Sequence, residues 1–264
     1  MIELIQFRHS PYNEKVRWAL DLKGVPHRRR SLLPGPHMSV VKRLSGRTAT
    51  PVLVTDDGKV IDGSARILEW LEQRFPAPPL IPVDARAAVL RLQQRFDDDI
   101  TPRIRRAVLD ALLRRPGYFA RVFGEAAAPW RRSLYSLIVP LAAPLVRKGN
   151  GITGPAAVED GLAAARTALD WVAETSRATG YLVGAGFSLA DLVAASTLAT
   201  IVRPANSPMS CPQPVSAEFT ALMTPFRSHP GAEWVRWIYA RHRMASTDFE
   251  GPSSRQPRYS ASTL

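Results

Sequence analysis

The chain has 264 residues, 45% hydrophobic and 22% charged, proportions of an ordinary globular protein that exclude wholesale disorder, collagen and coiled coil. Its 35 basic and 23 acidic side chains leave a net charge of +12, but no nucleic-acid module accompanies the excess, which is spread along the chain. Cys211 stands alone, so an intramolecular disulfide framework and a cysteine-based zinc site are both ruled out.

The longest apolar run, Leu137 to Val146, is ten residues with two prolines, against the roughly twenty that a membrane span needs. The opening MIELIQF lacks a basic segment followed by an apolar one, so no secretory signal is expected. The expectation is a cytoplasmic protein without membrane association, nucleic-acid partner or metal. Its positive field would draw in anionic substrates or acidic partners.

The first 76 residues alternate strands and helices. Glu3 to Arg8 reads as a strand, and Pro11 to Lys23 as a helix with Val16, Ala19 and Leu20 on one face and Gly24 as its stop. His27 to Leu32 reads as a second strand, placed at an edge or on a solvated face by its three arginines. Pro51 to Thr55 and Lys59 to Ile61 flank Asp56-Asp57-Gly58, a hairpin signal because Asp-Gly tolerates the positive φ of a tight turn. A helix with Ile67, Leu68 and Leu71 on one face follows Ser64.

Residues 77–84, rich in proline, read as a linker. Residues 85–244 read as all-helical, with helices over Ala85–Arg114, Tyr118 to about Arg147, Ala156–Ala178, Ser188–Arg203, Ala217–Phe226 and Gly231–Arg243. Pro140 and Pro144 are expected to break or kink the second of these. Residues 245–264 are polar and read as a disordered tail.

Three motifs carry chemistry or structure. In Ser10-Pro11-Tyr12-Asn13, Ser10 stands at a helix cap and Pro11 at the first helical position, where its missing N–H costs nothing. Ser10 either only caps the helix or meets an incoming thiolate with its hydroxyl beside the positive helix end. In Thr50-Pro51-Val52-Leu53 a proline opens a strand. If the Thr50–Pro51 bond is cis, the Val52 main chain would face outward to pair with an extended peptide; a trans bond is the commoner alternative. In Ser188-Leu189-Ala190-Asp191 the spacing is that of a capping box, a structural device.

In this order the motifs resemble the glutathione transferase superfamily. SPYNEKVRWAL is similar to that family's catalytic loop and first helix, TPVLVTDDG to its cis-proline strand and hairpin, and GSARILEWLEQRFP to its third helix. GYLVGAGFSLADLVAA resembles its C-domain capping box, and EWVRWIYARHR its closing helix. The resemblance implies an α/β thioredoxin-like N-terminal domain followed by an all-α helical-bundle C-terminal domain, assembled as a homodimer. It implies a glutathione S-transferase that activates the thiol of glutathione, its co-substrate, for attack on an electrophilic small molecule. The alternative is a non-catalytic binding scaffold of the same fold.

Carried over by position, the resemblance makes Ser10 the catalytic hydroxyl, Val52 after Pro51 the main-chain partner of the cysteinyl unit, and Ser64 the binder of the γ-glutamyl carboxylate. The family usually has an acid directly before that serine; here Gly63 stands there and Asp62 one position earlier, with Asp97–Asp99 as a further source of an acid. His37, Lys42 and Arg47 are candidates for the glycyl carboxylate. Tyr12, Arg105, Tyr118, Phe119, Trp130 and Tyr135 are candidates for the second-substrate pocket.

Overall fold

The computed structural model describes residues 1–125, 127–243 and 246–248. β1 (Ile2–Gln6) leads into α1 (Pro11–Leu22), β2 (His27–Ser31), α2 (His37–Ser45), β3 (Val52–Val54), β4 (Val60–Asp62) and α3 (Ser64–Arg74). The sheet order is β2-β1-β3-β4, with β1 parallel to β2 and the other pairs antiparallel. This mixed four-stranded sheet with its helices is a thioredoxin-like domain.

β2 lies at an edge, as its arginines suggested, but Arg29 turns inward and is buried. Its guanidinium is held by the carboxylate of Asp21 at 2.6 Å, which makes a buried arginine tolerable. The Asp-Gly turn closes as expected, with Gly58 at φ 84° and Thr55 N–H bonded to the Lys59 carbonyl at 2.9 Å.

The remainder is mostly helical. α4 (Arg86–Arg95) runs through one π turn, Phe96–Ile100, into α5 (Thr101–Leu113), where a single helix was expected. Then come α6 (Pro116–Phe123), α7 (Pro129–Gly149), α8 (Pro155–Thr175), α9 (Leu189–Val202), α10 (Ala217–Met223) and α11 (Pro230–His242). The expected break at Pro140 and Pro144 does not occur. The chain instead divides between α6 and α7, after Gly124 and before Pro129, and both prolines lie inside the 21-residue α7. α7 is held against the core through Tyr135 and Val139, both buried.

α9 is the centre of the helical part, with nearly every residue buried. Its start is fixed by the capping box. Asp191 accepts hydrogen bonds from the Ser188 N–H at 2.9 Å, the Ser188 hydroxyl at 3.0 Å and the Leu182 N–H at 2.8 Å.

A buried polar lattice joins the two parts. Trp18 of α1 donates its indole N–H to the His242 carbonyl at 2.9 Å, and Arg243 reaches both Glu14 and Asp21 at 2.8 Å. Of the expected tail, Thr247 hydrogen-bonds through its hydroxyl to the Val25 carbonyl, and Asp248 bridges to His27 at the β2 edge. Apart from Ser246, the rest of that segment lies outside the described residues. No described helix is long and apolar enough to cross a membrane.

Candidate functional site

The N-termini of two helices converge on one groove. α1 begins at Ser10, whose extended backbone places its carbonyl to accept from the Asn13 and Glu14 N–H groups at 3.1 and 2.9 Å. The Ser10 side chain makes no capping hydrogen bond, so its hydroxyl is not consumed by the helix it precedes. α3 begins at Ser64 after Gly63, which adopts φ 86°. Its first-turn N–H groups have no acidic side chain to cap them, leaving a positive helix end.

Between these ends the Thr50–Pro51 bond is cis, and the Gly63 N–H donates to the Pro51 carbonyl at 3.0 Å. The Asn13 amide donates to the Thr50 hydroxyl at 3.2 Å, tying the first turn of α1 to the proline loop.

The groove has a volume of about 560 Å³. Tyr12, Thr50, Pro51, Gly63 and Ser64 line it, together with two charged groups: Arg47, Asp62 and Arg66, joined by ion pairs, and Asp97 and Arg105, both beside Tyr12. Ser10 is not among the residues that line this groove, whereas Tyr12, two positions later, is. A second depression of about 580 Å³ runs between α3 and α4, sharing Ala65, Arg66 and Asp97 with the first.

The charges are arranged unequally. Asp62 is bound by Arg47 at 3.1 Å and by Arg66, so its carboxylate already has two cationic partners. Asp97 is held by Lys15 at 2.5 Å, and its carbonyl accepts from the Tyr12 hydroxyl at 2.8 Å. Burial pushes the Tyr12 phenol up to about 12, with the neighbouring Arg105 charge opposing and Asp97 reinforcing the rise. Tyr12 therefore stays a neutral phenol whose proton is committed to Asp97. Arg105 lies over the Tyr12 ring at 5.8 Å, and its Nε is buried without a hydrogen-bond partner.

Several sequence expectations need correction. Val52 does not face the groove: it is fully buried and lies in register between Ile5 of β1 and Asp62 of β4, so strands flank its main chain on both sides. The residue that opens onto the groove is Thr50, one position before the proline. His37 stacks edge-on against Phe7 at 4.6 Å, and its Nδ1 accepts the Gly35 N–H at 3.0 Å. Burial lowers its pKa, against a hydrogen bond to Thr48, so it is not a cation waiting for a carboxylate. Lys42 is exposed on α2, away from the groove.

Tyr118 packs in the helical part against Phe219 and borders a different, shallower depression with Pro116 and Pro214. Phe119 and Tyr135 are buried in the core, while Trp130 is 64% exposed on α7, outside the groove. Of the second-substrate candidates, only Tyr12 and Arg105 line it.

Sequence reasoning missed Thr50 and Arg66. Thr50 was legible as the residue whose position a cis-proline loop exposes, and Arg66 as the i,i+4 partner of Asp62.

Gly63 explains the departure from an acidic residue at that position. A φ of 86° strains any residue with a Cβ, and glycine adopts it freely. A Cβ there would meet nothing closer than Arg66 Nε at 4.0 Å, so conformation rather than space favours glycine.

Comparison with known proteins agrees with this architecture. Residues 4–79 match the family model described as glutathione S-transferase, N-terminal domain. The chain is 34% identical over 132 residues to a maleylpyruvate isomerase of a Ralstonia species, covering 48% of this chain and 58% of that protein. It is 32% identical over 106 residues to a probable glutathione S-transferase of Nicotiana tabacum, covering 37% and 44%. The matched region thus spans about half the length of these curated relatives. A crystal structure of a glutathione S-transferase from Rhodospirillum rubrum F11 superposes with a TM-score of 0.62 at 24% identity, over 95% of this chain and 93% of that one.

Proposed function

We propose that this chain, which belongs to the glutathione transferase superfamily, is a glutathione-dependent enzyme whose thiol-activating group is Ser10. The observation that carries this reading is the Ser10 side chain: it stands at the positive end of α1, uncommitted to its own helix, beside a groove with donors for a peptide.

In this reading the γ-glutamyl carboxylate lies on the first turn of α3 with the Ser64 hydroxyl, as helix N-termini hold anions. Thr50, rather than Val52, offers its main chain to the cysteinyl unit. Arg47, exposed at the groove, meets the glycyl carboxylate. The acid for the α-ammonium is Asp97 or Asp62, the two carboxylates that line the groove.

A thiol with a pKa of about 8.5 is mostly protonated at neutral pH. Each unit by which the site lowers it corresponds to about 1.36 kcal/mol of preference for the thiolate. A hydroxyl donor contributes roughly 1.5–3 kcal/mol to a charged acceptor, so Ser10 with the helix end is sufficient for one to two units. The thiol proton leaves to solvent, and the sulfur lone pair forms a bond to an electrophilic carbon of the second substrate, from which a leaving group departs with its bonding pair or whose π pair moves to the neighbouring atom and takes a proton from solvent. Arg105, which lies over the Tyr12 ring and lines the same groove, is the residue proposed to contact that substrate.

The alternative is a binding scaffold without catalysis, favoured by Gly63 in place of an acid. Titration calorimetry with glutathione separates the two. Millimolar or tighter binding with turnover of a generic electrophile supports the enzyme; absence of binding supports the scaffold. A cytoplasmic location and a homodimer complete the proposal.

A further inference from the structure

α7 is apolar on two faces. Its inner face carries Tyr135 and Val139, both buried, and the Tyr135 hydroxyl donates to the Pro34 carbonyl at 2.7 Å. Its outer face carries Trp130, Leu134, Leu137, Ile138, Leu141 and Leu145, all exposed, with Leu141 at 84%. At 3.6 residues per turn these six fall within a stripe about 100° wide along the helix. Between Arg131 and Lys148, Ser133 is the one exposed residue that is neither leucine, isoleucine nor proline. Monomers rarely expose a contiguous apolar patch above roughly 300–600 Å², so six large side chains in one stripe mark a contact surface.

The charges around the stripe identify what it meets. α7 holds no acidic residue, and exposed cations close both ends of the stripe. Arg131 lies at one end, its guanidinium 5.1 Å from the Trp130 ring, and Lys148 at the other. Lys148 comes about five turns after Trp130, so the two stand on one line of the helix. Between Asp110 and Glu159 the chain carries seven lysines and arginines and one acid, Glu125, whose carboxylate is held by Arg8 at 2.9 Å. Of these cations, Arg121, Arg131, Arg132 and Lys148 form no ion pair among the described residues, whereas Arg114 and Arg147 are paired with Asp110 and Arg115 with Glu218. The segment that α7 packs on through Pro34 holds no acid between Asp21 and Asp56. We infer that the outer face of α7 is a docking surface for an anionic lipid bilayer, on which the helix lies flat.

Two features favour lipid over a protein partner. A protein interface carries about one hydrogen bond per 100–200 Å², yet the stripe offers a single exposed hydroxyl, on Ser133. A partner helix docks into a groove, whereas α7 presents one convex ridge that its packing partners α5 and α6 leave uncovered. An interfacial helix has the chemistry seen here: an apolar face sunk into the acyl boundary, a tryptophan at headgroup level, and cations whose apolar stems let their heads reach the phosphates. Spanning a bilayer needs some twenty apolar residues and lying on one does not, so the sequence expectation of no membrane association gives way, in this proposal, to attachment at the surface. None of the six stripe residues lines the groove, so the contact stands apart from the glutathione reading.

The test is co-sedimentation of the full chain with phosphatidylcholine vesicles, with and without phosphatidylserine. The parent should bind the mixed vesicles, and the neutral ones about tenfold more weakly. Leu137→Glu/Leu141→Glu should lose about a hundredfold in affinity for the mixed vesicles, since two leucines leave the acyl boundary. Its circular dichroism spectrum and its association state should match the parent's, because both side chains are exposed. Arg131→Gln/Lys148→Gln should weaken binding to the mixed vesicles about tenfold and leave the weaker binding to neutral vesicles unchanged. A parent that stays in the supernatant with mixed vesicles overturns the inference. So does vesicle binding that survives the leucine substitutions, which would be charge attraction alone. Loss of self-association in the leucine variant, with no lipid binding by the parent, would assign the stripe to a protein contact and overturn it as well.

Discussion

Arg47 Nε lies 3.1 Å from the carboxylate of Asp62; both residues line the groove, and Asp62 stands two residues before the first residue of α3. In the proposed site the pair puts a cation where one carboxylate of glutathione would lie. The Arg47 side chain is 70% exposed, so its own ion pair is worth little to the fold. Arg47→Ala should therefore leave stability unchanged within about 0.5 kcal/mol. It should weaken glutathione binding about tenfold, the lower end for a charged contact. Calorimetry at low and at molar salt checks this, because screening should shrink the difference between the two proteins.

Gly63 gives a second outcome. Gly63→Ala keeps the space but forces a Cβ into φ 86°, so stability should fall by about 1 kcal/mol. Denaturant midpoints of the two proteins measure the loss. Glutathione affinity should follow only as far as the first turn of α3 moves.

Arg243 joins α11 to α1 through Glu14 and Asp21, and all three side chains are buried. Removing the guanidinium leaves two buried carboxylates with one arginine each, Arg17 and Arg29. Arg243→Met should cost about 3 kcal/mol, the low end for breaking a buried ion pair because of those remaining partners. Urea denaturation reads this loss directly.

Asp191 supplies a pH dependence. Burial pushes its carboxyl up to about 6, although hydrogen bonds from Leu182 and Ser188 pull it down. The folded state then holds this proton more tightly than the unfolded chain does. The stability contributed by Asp191 is full below about pH 4 and falls as pH rises toward 6. Asp191→Asn lacks this dependence, so the parent's stability relative to the variant should decline across that window, by at most about 3 kcal/mol. Denaturation at four pH values between 4 and 7 tests the sign. Asp191→Ala should lose about 0.5–2 kcal/mol of cap stability without a specific change in glutathione affinity.

What was legible in the sequence was local chemistry. Asp57-Gly58 specified its turn and Ser188–Asp191 its cap, since each device is satisfied within a few residues. The order of strands and helices followed from periodicity for the same reason. Pro140 and Pro144 left open a break or a kink, and the helix is not broken there, since the burial of Tyr135 and Val139 that holds α7 is a tertiary contact a local signal does not show. Val52 was placed one step into the sheet because a sequence does not show which main-chain groups the neighbouring strands occupy. Tyr118 and Trp130 were read as pocket aromatics, but whether an aromatic on a helix faces core, groove or solvent depends on helix rotation, and α6 and α7 turn them elsewhere.

The central claim is that Ser10 activates a thiol, and it is tested most directly by titrating the thiolate absorbance of bound glutathione in the parent and in Ser10→Ala. The parent should ionise bound glutathione one to two units below the free thiol's pKa of about 8.5. Ser10→Ala should return most of that shift while binding changes less, because in the proposed site Ser64 and the α3 terminus would hold the peptide independently of the sulfur. An identical thiolate titration in the two proteins would contradict the account and remove Ser10 from the chemistry.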